Sequence, residues 1–223
     1  MSESTPPKPD LNPDAIQIHN FFATPVARIV HPDAESLNAQ LQAAIAQRMQ
    51  MDPGTTHSNE GGWQSATDFT EWGGEAAQRL LEFGRAFANQ LTAVHSAEHG
   101  LIEPAFAWRH TAWANVNFPG HANHLHGHPG AFWSGVYWVD DGGRQENPEV
   151  GGDLEFPDPR GMMPSLYNPE LRMRIEGCLT AGYSTTVAPA TGTFIMFPSW
   201  LMHAVQRYNG TRPRVSIAFN FGV

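Results

Sequence analysis

The sequence is short of cysteine and contains no long hydrophobic run. Cys178 is the single cysteine among 223 residues, so no intramolecular disulfide can form. Disulfides are typical of oxidising compartments, and we therefore expect a reduced, cytoplasmic protein. No apolar segment approaches the roughly 18 residues that span a bilayer, and the polar, proline-rich residues 1–14 lack the apolar core of a signal peptide. We expect no membrane partner.

Positive charge is also scarce. The chain has 13 Lys and Arg residues against 22 Asp and Glu residues, which gives a formal net charge of −9 at pH 7. Proteins that bind nucleic acid present a basic stripe to the phosphates, and none is visible here. The composition therefore excludes nucleic acid as an expected partner, while the acidic surface bears on solubility more than on substrate.

Turn-forming and aromatic residues are plentiful by contrast. The sequence contains 21 Gly, 18 Pro and 7 Trp residues, a mixture that is typical of β-rich proteins with many turns. Its length suits one large β domain better than two domains. We expect a disordered tail over residues 1–15 and a single domain over residues 16–223.

The first part of that domain, residues 16–100, predicts one strand and two helices. Residues 16–30 have strand character, interrupted at Pro25, which favours a sheet edge. Apolar residues spaced for one helical face predict a helix over 34–49, with Asp33 as its N-cap. A polar loop is expected over 52–73 and a second helix from Glu75 to about His99. Both helices should cover one face of a β body.

From Phe106 onward the pattern changes to period two. Strands are predicted within 106–117, 131–139, 151–156, 184–188, 193–197, 203–207 and 215–221. Seven or eight strands without intervening helices predict a mainly β fold with flanking helices, a double-sheet jelly roll or a similar barrel. The Pro- and Gly-rich residues 157–183 should form a flexible or substrate-covering loop.

A histidine cluster precedes the strand at 131–139. Four histidines lie in HANHLHGH, at positions 121, 124, 126 and 128. Neutral imidazole is the commonest protein ligand for metals, and a His-x-His pair on an extended chain points both rings to one side. A catalytic metal needs about three protein ligands. We therefore expect His126 and His128 to bind a metal at the start of a strand, with His203 as the third ligand.

The C-terminal segment RPRVSIAFNF adds an arginine to this picture. Arg214 and Ser216 share one face of the predicted strand. An inward arginine is costly unless an anion pairs with it, and its planar fork matches a carboxylate. A hairpin at Asn209-Gly210 would bring Arg214 beside His203. This combination suits a dicarboxylic acid that binds metal at one end and arginine at the other. The alternative is that Arg214 is a surface charge on an edge strand.

The order His-x-His, distant His, Arg-x-Ser resembles the Fe(II)/2-oxoglutarate-dependent oxygenases. The segments HGHPGAFWSGVYWV, GGDLEFPDPR and GTFIMFPSWLMHAV…RPRVSIAFNF are similar to a largely uncharacterised bacterial branch of them. In that branch His-x-His-Pro followed by Ser-Gly-Val-Tyr is typical. FFATPVARIV and GGWQSATDF are similar too, so the resemblance covers residues from about 17 to 221.

The resemblance implies a double-stranded β-helix, the cupin-like jelly roll, that hydroxylates an unknown small-molecule or peptide substrate. Dioxygen would be consumed and 2-oxoglutarate decarboxylated to succinate. Fe(II) would be held by His126, His128 and His203. Arg214 would bind the far carboxylate of 2-oxoglutarate, assisted by Ser216 and Tyr137, and Asn115 or Asn117 would reach its near end.

One position departs from the superfamily pattern. His128 stands where these oxygenases carry Asp or Glu, and a neutral imidazole offsets none of the metal charge. Two other ligand sets therefore stay open. His124 and His126 could form the pair, with His128 outside it, or an acidic residue such as Asp153 could complete the site.

Two further functions compete with the oxygenase. One is a cupin-like three-histidine metalloenzyme that uses no 2-oxoglutarate, such as a thiol dioxygenase or an isomerase. The other is a non-catalytic β-sandwich that binds a metal or ligand only structurally. The N-terminal strand and the helices also offer a face for homodimer formation.

Overall fold

The computed structural model describes residues 16–18, 21–105, 107–161 and 166–223. The tail expected over 1–15 lies outside these residues. In chain order the described elements are β1 (Ala27–Val30), α1 (Ala34–Met51), β2 (Asn59–Glu60), β3 (Trp63–Gln64), α2 (Phe69–Trp72), α3 (Gly74–Gln90), β4 (Val94–Ser96), β5 (Gly100–Ile102), β6 (Arg109–Asn117), β7 (Ala122–His126), β8 (Trp133–Asp140), β9 (Leu154–Pro157), β10 (Ser184–Val187), β11 (Thr193–Pro198), β12 (His203–Val205) and β13 (Arg214–Gly222).

Two antiparallel sheets build the body of the fold. The larger sheet has the strand order β1-β11-β8-β13-β6-β3, and the smaller has the order β10-β9-β12-β7-β2. In the described part of the chain eight strands follow residue 108, as the period-two pattern predicts. These sheets enclose a common interior, and the architecture is a double-stranded β-helix. The predicted fold class, mainly β with flanking helices, is confirmed.

The helices cover the outer face of the larger sheet. Leu37, Leu41 and Ile45 form one buried stripe along α1, where the helical spacing predicts it. This stripe and the apolar face of α3 share a core with alternate residues of the sheet, including Tyr137 and Phe194. Asp33 occupies the N-cap of α1, but its side chain makes no capping hydrogen bond and lies 3.7 Å from Arg79 Nη1 instead.

The second helix is shorter than its apolar pattern suggests. It ends at Gln90, whereas the sequence predicts about His99. Thr92 Oγ1 donates to the carbonyl of Ala88 at 2.6 Å and accepts from Trp133 Nε1 at 2.8 Å. These hydrogen bonds tie the helix end to the larger sheet, and β4 then forms a hairpin with β5. A tertiary contact therefore overrides the local helical pattern.

Other elements differ from expectation at the sheet edges. Among the described residues of the strand expected over 16–30, only β1 is a strand, and it pairs with β11 at the edge of the larger sheet. The loop expected over 52–73 contains β2, β3 and α2. β2 and β3 have two residues each, too few to show a periodicity in the sequence.

The expected hairpin at Asn209-Gly210 is also wrong. β12 belongs to the smaller sheet, where it pairs with β7 and β9. β13 belongs to the larger sheet, between β8 and β6. Asn209 N donates to Val150 O at 2.7 Å, so this segment crosses from one sheet to the other. His203 and Arg214 therefore approach each other across the interior and not along a hairpin.

The interior between the sheets has its own apolar layer. It consists of the buried side chains Val136, Trp138, Leu154, Phe156, Ile195, Phe197 and Leu201. None of the helices in the described part of the chain combines the length and apolar character needed to cross a bilayer.

The packing of α1 yields a direct test of stability. Leu37 is fully buried, so Leu37→Ala removes core contacts and should lower the free energy of unfolding by about 2–5 kcal/mol. Leu101 is 74 % exposed, and Leu101→Ala should change it by no more than about 0.5 kcal/mol. Urea unfolding measures both. Equal effects would contradict the proposed packing of α1 on the sheet.

Candidate metal centre

Three histidines converge in the smaller sheet, where β7 ends and β12 begins. His126 ends β7, His203 begins β12 directly opposite it in the register, and His128 follows two residues after β7. One potential ligand atom from each lies within 4.8 Å of the other two. The Nε2 atoms of His128 and His203 are 3.3 Å apart. The structure thus brings together the predicted set, at the end of a strand instead of its start.

Backbone carbonyls orient two of the rings. His126 Nδ1 lies 2.7 Å from His124 O, and His203 Nδ1 lies 2.9 Å from Leu201 O. A carbonyl oxygen can only accept, so both Nδ1 atoms carry the proton and both Nε2 atoms keep a free lone pair. This is the arrangement that metal-ligating histidines adopt, since the second ring nitrogen donates to an acceptor outside the metal site.

Burial keeps these rings neutral. Burial, and to a smaller extent the charge of the neighbouring imidazoles, lowers the pKa of His203 to about 3 and that of His128 to about 4. Burial also lowers the pKa of His126, partly offset by its hydrogen bond to the backbone. A histidine must be neutral to bind a metal. At neutral pH all three are therefore in the form that binds metal.

A buried arginine faces the same interior from the larger sheet. Arg214 is 1 % exposed. Its Nη1 donates to Asn117 Oδ1 at 3.2 Å and to Ser216 Oγ at 3.4 Å, while its Nε has no hydrogen-bond partner. Burial lowers its pKa to about 10, opposed chiefly by the negative charge of Asp153. An unpaired buried donor on a cation marks a place for an anion.

The glycine pair at 151–152 makes room for this arginine. Gly152 has φ of +77°, and a Cβ there would come within 3.0 Å of Arg214 Cδ. The next residue, Asp153, does not reach the histidines. Its carboxylate accepts two hydrogen bonds from Arg144, at 2.6 and 2.8 Å. The alternative in which Asp153 completes the metal site is therefore wrong. Both oxygens of its carboxylate accept hydrogen bonds from Arg144, and it is not part of the histidine group.

One cavity joins the histidines to the arginine. It is lined by the predicted residues His126, His128, His203, Arg214, Ser216 and Asn115, together with polar Asn123 and apolar Val136, Leu154 and Phe197. Asn117, which does not line the cavity, contacts it only indirectly, by accepting a hydrogen bond from Arg214. The predicted metal and anion sites thus lie in a single pocket.

Two predicted residues lie elsewhere. Tyr137 packs with the helices on the outer face of the larger sheet and donates its hydroxyl to Asn38 Oδ1 at 2.7 Å. The prediction that Tyr137 contacts a cofactor is therefore wrong. Its side chain lies on the outer face of the larger sheet, whereas Arg214 faces the interior. His124 lines a neighbouring cleft, and its backbone carbonyl accepts a hydrogen bond from His126 Nδ1. It is outside the histidine group, so the alternative pair of His124 and His126 is not assembled.

Two site residues escaped the sequence analysis. Asn220 lies 3.4 Å from His128 Nδ1, and its position in phase with Arg214 and Ser216 on β13 was a readable signal. Asn123 lines the cavity although it lies out of phase with His126. The register of β7 against β12 shifts between His203 and Val205, and such an irregularity leaves no periodic signal.

Part of the chain is similar to a known protein family. Residues 111–220, just under half of the chain, match the model of a family described as "Putative 2OG-Fe(II) oxygenase". The matched region contains all three histidines and Arg214. No curated protein matches the sequence.

Several solved structures share the fold. A Pseudomonas putida prolyl-4-hydroxylase is 18 % identical, with 89 % of this chain and 92 % of that chain covered and a TM-score of 0.57. A Trichoplax adhaerens prolyl hydroxylase, in complex with a hypoxia inducible factor peptide, is 13 % identical over 88 % and 83 % with a TM-score of 0.59. HygX from Streptomyces hygroscopicus, with nickel and 2-oxoglutarate bound, is 13 % identical over 89 % and 83 % with a TM-score of 0.56.

The lowered histidine pKa values predict how stability depends on pH. The unfolded chain binds a proton at each histidine near pH 6.5, whereas folded His128 and His203 stay neutral down to about pH 4 and 3. The metal-free protein should therefore keep its full stability above about pH 6.5 and lose it as the pH falls toward 4.

Urea unfolding between pH 4 and 8 measures this loss. His203→Gln should flatten the profile, since glutamine does not titrate. His99→Gln, which changes an exposed histidine, should leave it unchanged. A His203→Gln profile identical to the wild type would refute the assigned burial of this ring.

Proposed function

We propose that this protein is an Fe(II)- and 2-oxoglutarate-dependent oxygenase that hydroxylates a small-molecule or peptide substrate. One observation carries the proposal. A fully buried arginine with an unpaired Nε lines the same cavity as three neutral histidines. The family match over residues 111–220 and the shared fold support it. Membership of the bacterial branch with the His-x-His-Pro motif stays a prediction.

The residues present fit such a metal. Imidazole nitrogen is a suitable ligand for Fe(II), and three protein ligands leave positions for cosubstrate and dioxygen. We assign His126, His128 and His203 to the metal. When bound, Fe(II) would activate dioxygen, which is the oxidant: one oxygen atom would enter the substrate, and the other would enter 2-oxoglutarate as it is converted to succinate and carbon dioxide.

The polar residues of the larger sheet would hold the cosubstrate. Arg214 presents its guanidinium fork to the far carboxylate, and Ser216 adds a hydroxyl donor beside it. Asn117 accepts from Arg214 Nη1 and so holds the guanidinium in place. Asn115 lines the same cavity, and we assign its amide to the near end of the cosubstrate. Because the pocket is buried, each of these hydrogen bonds competes little with water.

The charge balance also favours an anionic cosubstrate. The three histidines are neutral, so they leave the charge of a divalent metal uncompensated, and the unpaired Arg214 adds another positive charge. Asp153 offsets this charge only in part, because its carboxylate pairs with Arg144. A dicarboxylate bound between the metal and Arg214 would bring two negative charges into this interior. The donor set without a carboxylate therefore increases the need for an acidic ligand.

The substrate would approach from the opposite side of the histidines. A cleft of about 520 Å³ opens there, and His126 and His128 line both this cleft and the inner cavity. Most of its other lining residues are polar or aromatic, among them His57, Gln64, Thr67, Thr111 and Trp113. We also place the protein in a reducing, cytoplasmic setting, since Cys178 has no second cysteine to pair with.

A second function is favoured by His128 itself. The three-histidine donor set is that of a cupin-like metalloenzyme that uses no 2-oxoglutarate. In that case the reaction would need no dicarboxylate, and the buried Arg214 would have only a structural role. The two functions therefore differ in what Arg214 does.

Anaerobic titration with Fe(II) and 2-oxoglutarate tests the proposal. The complex should show a weak visible metal-to-ligand absorption band, and air should then convert 2-oxoglutarate to succinate. Arg214→Ala should weaken 2-oxoglutarate binding roughly 30-fold or more, since losing one partner of a buried charge pair costs about 2–5 kcal/mol. Its Fe(II) affinity should stay near that of the wild type.

Arg212→Ala is the matched control, because Arg212 is a neighbouring arginine that forms ion pairs at the surface. Arg214→Lys keeps a positive charge at the buried position, and it therefore serves to distinguish weaker 2-oxoglutarate binding from misfolding. Unchanged 2-oxoglutarate binding in Arg214→Ala would favour the cupin-like metalloenzyme. A wild-type protein that shows neither the band nor succinate would favour a non-catalytic binding module.

A further inference from the structure

His128 differs from the other two histidines in what contacts its second ring nitrogen. His126 and His203 each donate from Nδ1 to a backbone carbonyl. His128 Nδ1 lies 3.4 Å from the side-chain amide of Asn220. A metal-ligating histidine needs an acceptor at this nitrogen to fix its tautomer and orientation. Asn220 lies where that acceptor is required.

Two hydroxyl groups hold the Asn220 amide. Its Oδ1 accepts from Ser134 Oγ at 2.8 Å, and its Nδ2 donates to Thr111 Oγ1 at 3.3 Å. With Nδ2 facing His128, the amide donates to Nδ1, so the ring proton must lie on Nε2. That proton then points at His203 Nε2, 3.3 Å away. In this arrangement the atoms that would bind a metal are hydrogen-bonded to each other.

A rotation of the amide by 180° reverses the arrangement and keeps the three hydrogen bonds of Asn220, while the hydrogen bond between His128 and His203 is lost. The amide oxygen then faces His128 Nδ1 and Thr111 Oγ1, and the nitrogen faces Ser134 Oγ. Hydroxyl groups both donate and accept, so Ser134 and Thr111 remain partners in either orientation. The ring proton moves to Nδ1, where Oδ1 accepts it. His128 Nε2 is then free to bind a metal.

We propose that Asn220 is a positioning residue that selects the tautomer of His128 and sets its strength as a metal ligand. The inference rests on the proposed metal centre and deepens it. His126 and His203 are held by backbone, which substitution cannot readily change, whereas His128 is held by a side chain. His128 is also the imidazole at the position where the similar oxygenases carry a carboxylate. Asn220 therefore acts on the ligand that distinguishes this site.

Anaerobic Co(II) titration of the full chain, followed by visible absorption, tests this role. Asn220→Leu has a similar size but no acceptor, and its Kd for Co(II) should rise roughly 10- to 100-fold. Asn220→Asp restores an acceptor and adds a charge. It should bind Co(II) at least as tightly as the wild type and shift the ligand-field bands, because a carboxylate partner makes the imidazole a stronger donor.

Asn38→Ala is the matched control. Asn38 is a buried asparagine that accepts from Tyr137 on the outer face of the sheet. This variant should lose stability in urea yet keep the wild-type Co(II) affinity and spectrum. Wild-type affinity in Asn220→Leu would overturn the proposal, and so would an equal loss in Asn220→Leu and Asn220→Asp. Failure of the wild type to bind Co(II) would instead overturn the proposed metal centre, and this inference with it.

Discussion

A guanidinium enclosed between two sheets is the constraint on which the interior depends. Burying a charge without a partner is costly, and the surrounding residues reduce that cost only in part. Asn117 and Ser216 accept from one nitrogen of Arg214, and Gly152 leaves space for its stem. Asp153 lies near enough to raise the pKa of Arg214 but is held by Arg144. The interior therefore keeps a positive charge that an incoming anion can neutralise.

The larger sheet can carry polar side chains on its inner face because its outer face packs against the helices. Along β13, Arg214 and Ser216 face the cavity, while Ile217, Phe219 and Phe221 pack into the core under the helices. The helices thus supply apolar burial on the outside, where it stabilises the sheet. The inner face of the larger sheet therefore contributes less to this apolar burial, and it can hold charged and polar side chains beside the apolar layer of the interior. Stability and ligand chemistry are divided between alternate residues of the same strand.

Period-two alternation explains why much of this site could be predicted. It placed Arg214 and Ser216 on one face of their strand and indicated that His126 and His128 point to one side, whereas Asn115 and Tyr137 were assigned to the cosubstrate from the family resemblance. For Tyr137 this was wrong, because it packs on the outer face of the sheet and alternation does not reveal which face is the interior. It also does not reveal strand partners, so the expected hairpin joined two strands that lie in different sheets. Helix α3 stops early because of a hydrogen bond between Thr92 and Trp133, a contact distant in sequence.

The crossing of the chain between β12 and β13 has a mechanical consequence. His126 and His203 belong to the smaller sheet, and Arg214 belongs to the larger one. A ligand held by both sets of residues would cross-link the two sheets. Because such a ligand needs residues of both sheets, it binds the folded protein and not the unfolded chain, and its binding adds to the free energy of unfolding. Unfolding that separates the two sheets would therefore require release of the ligand.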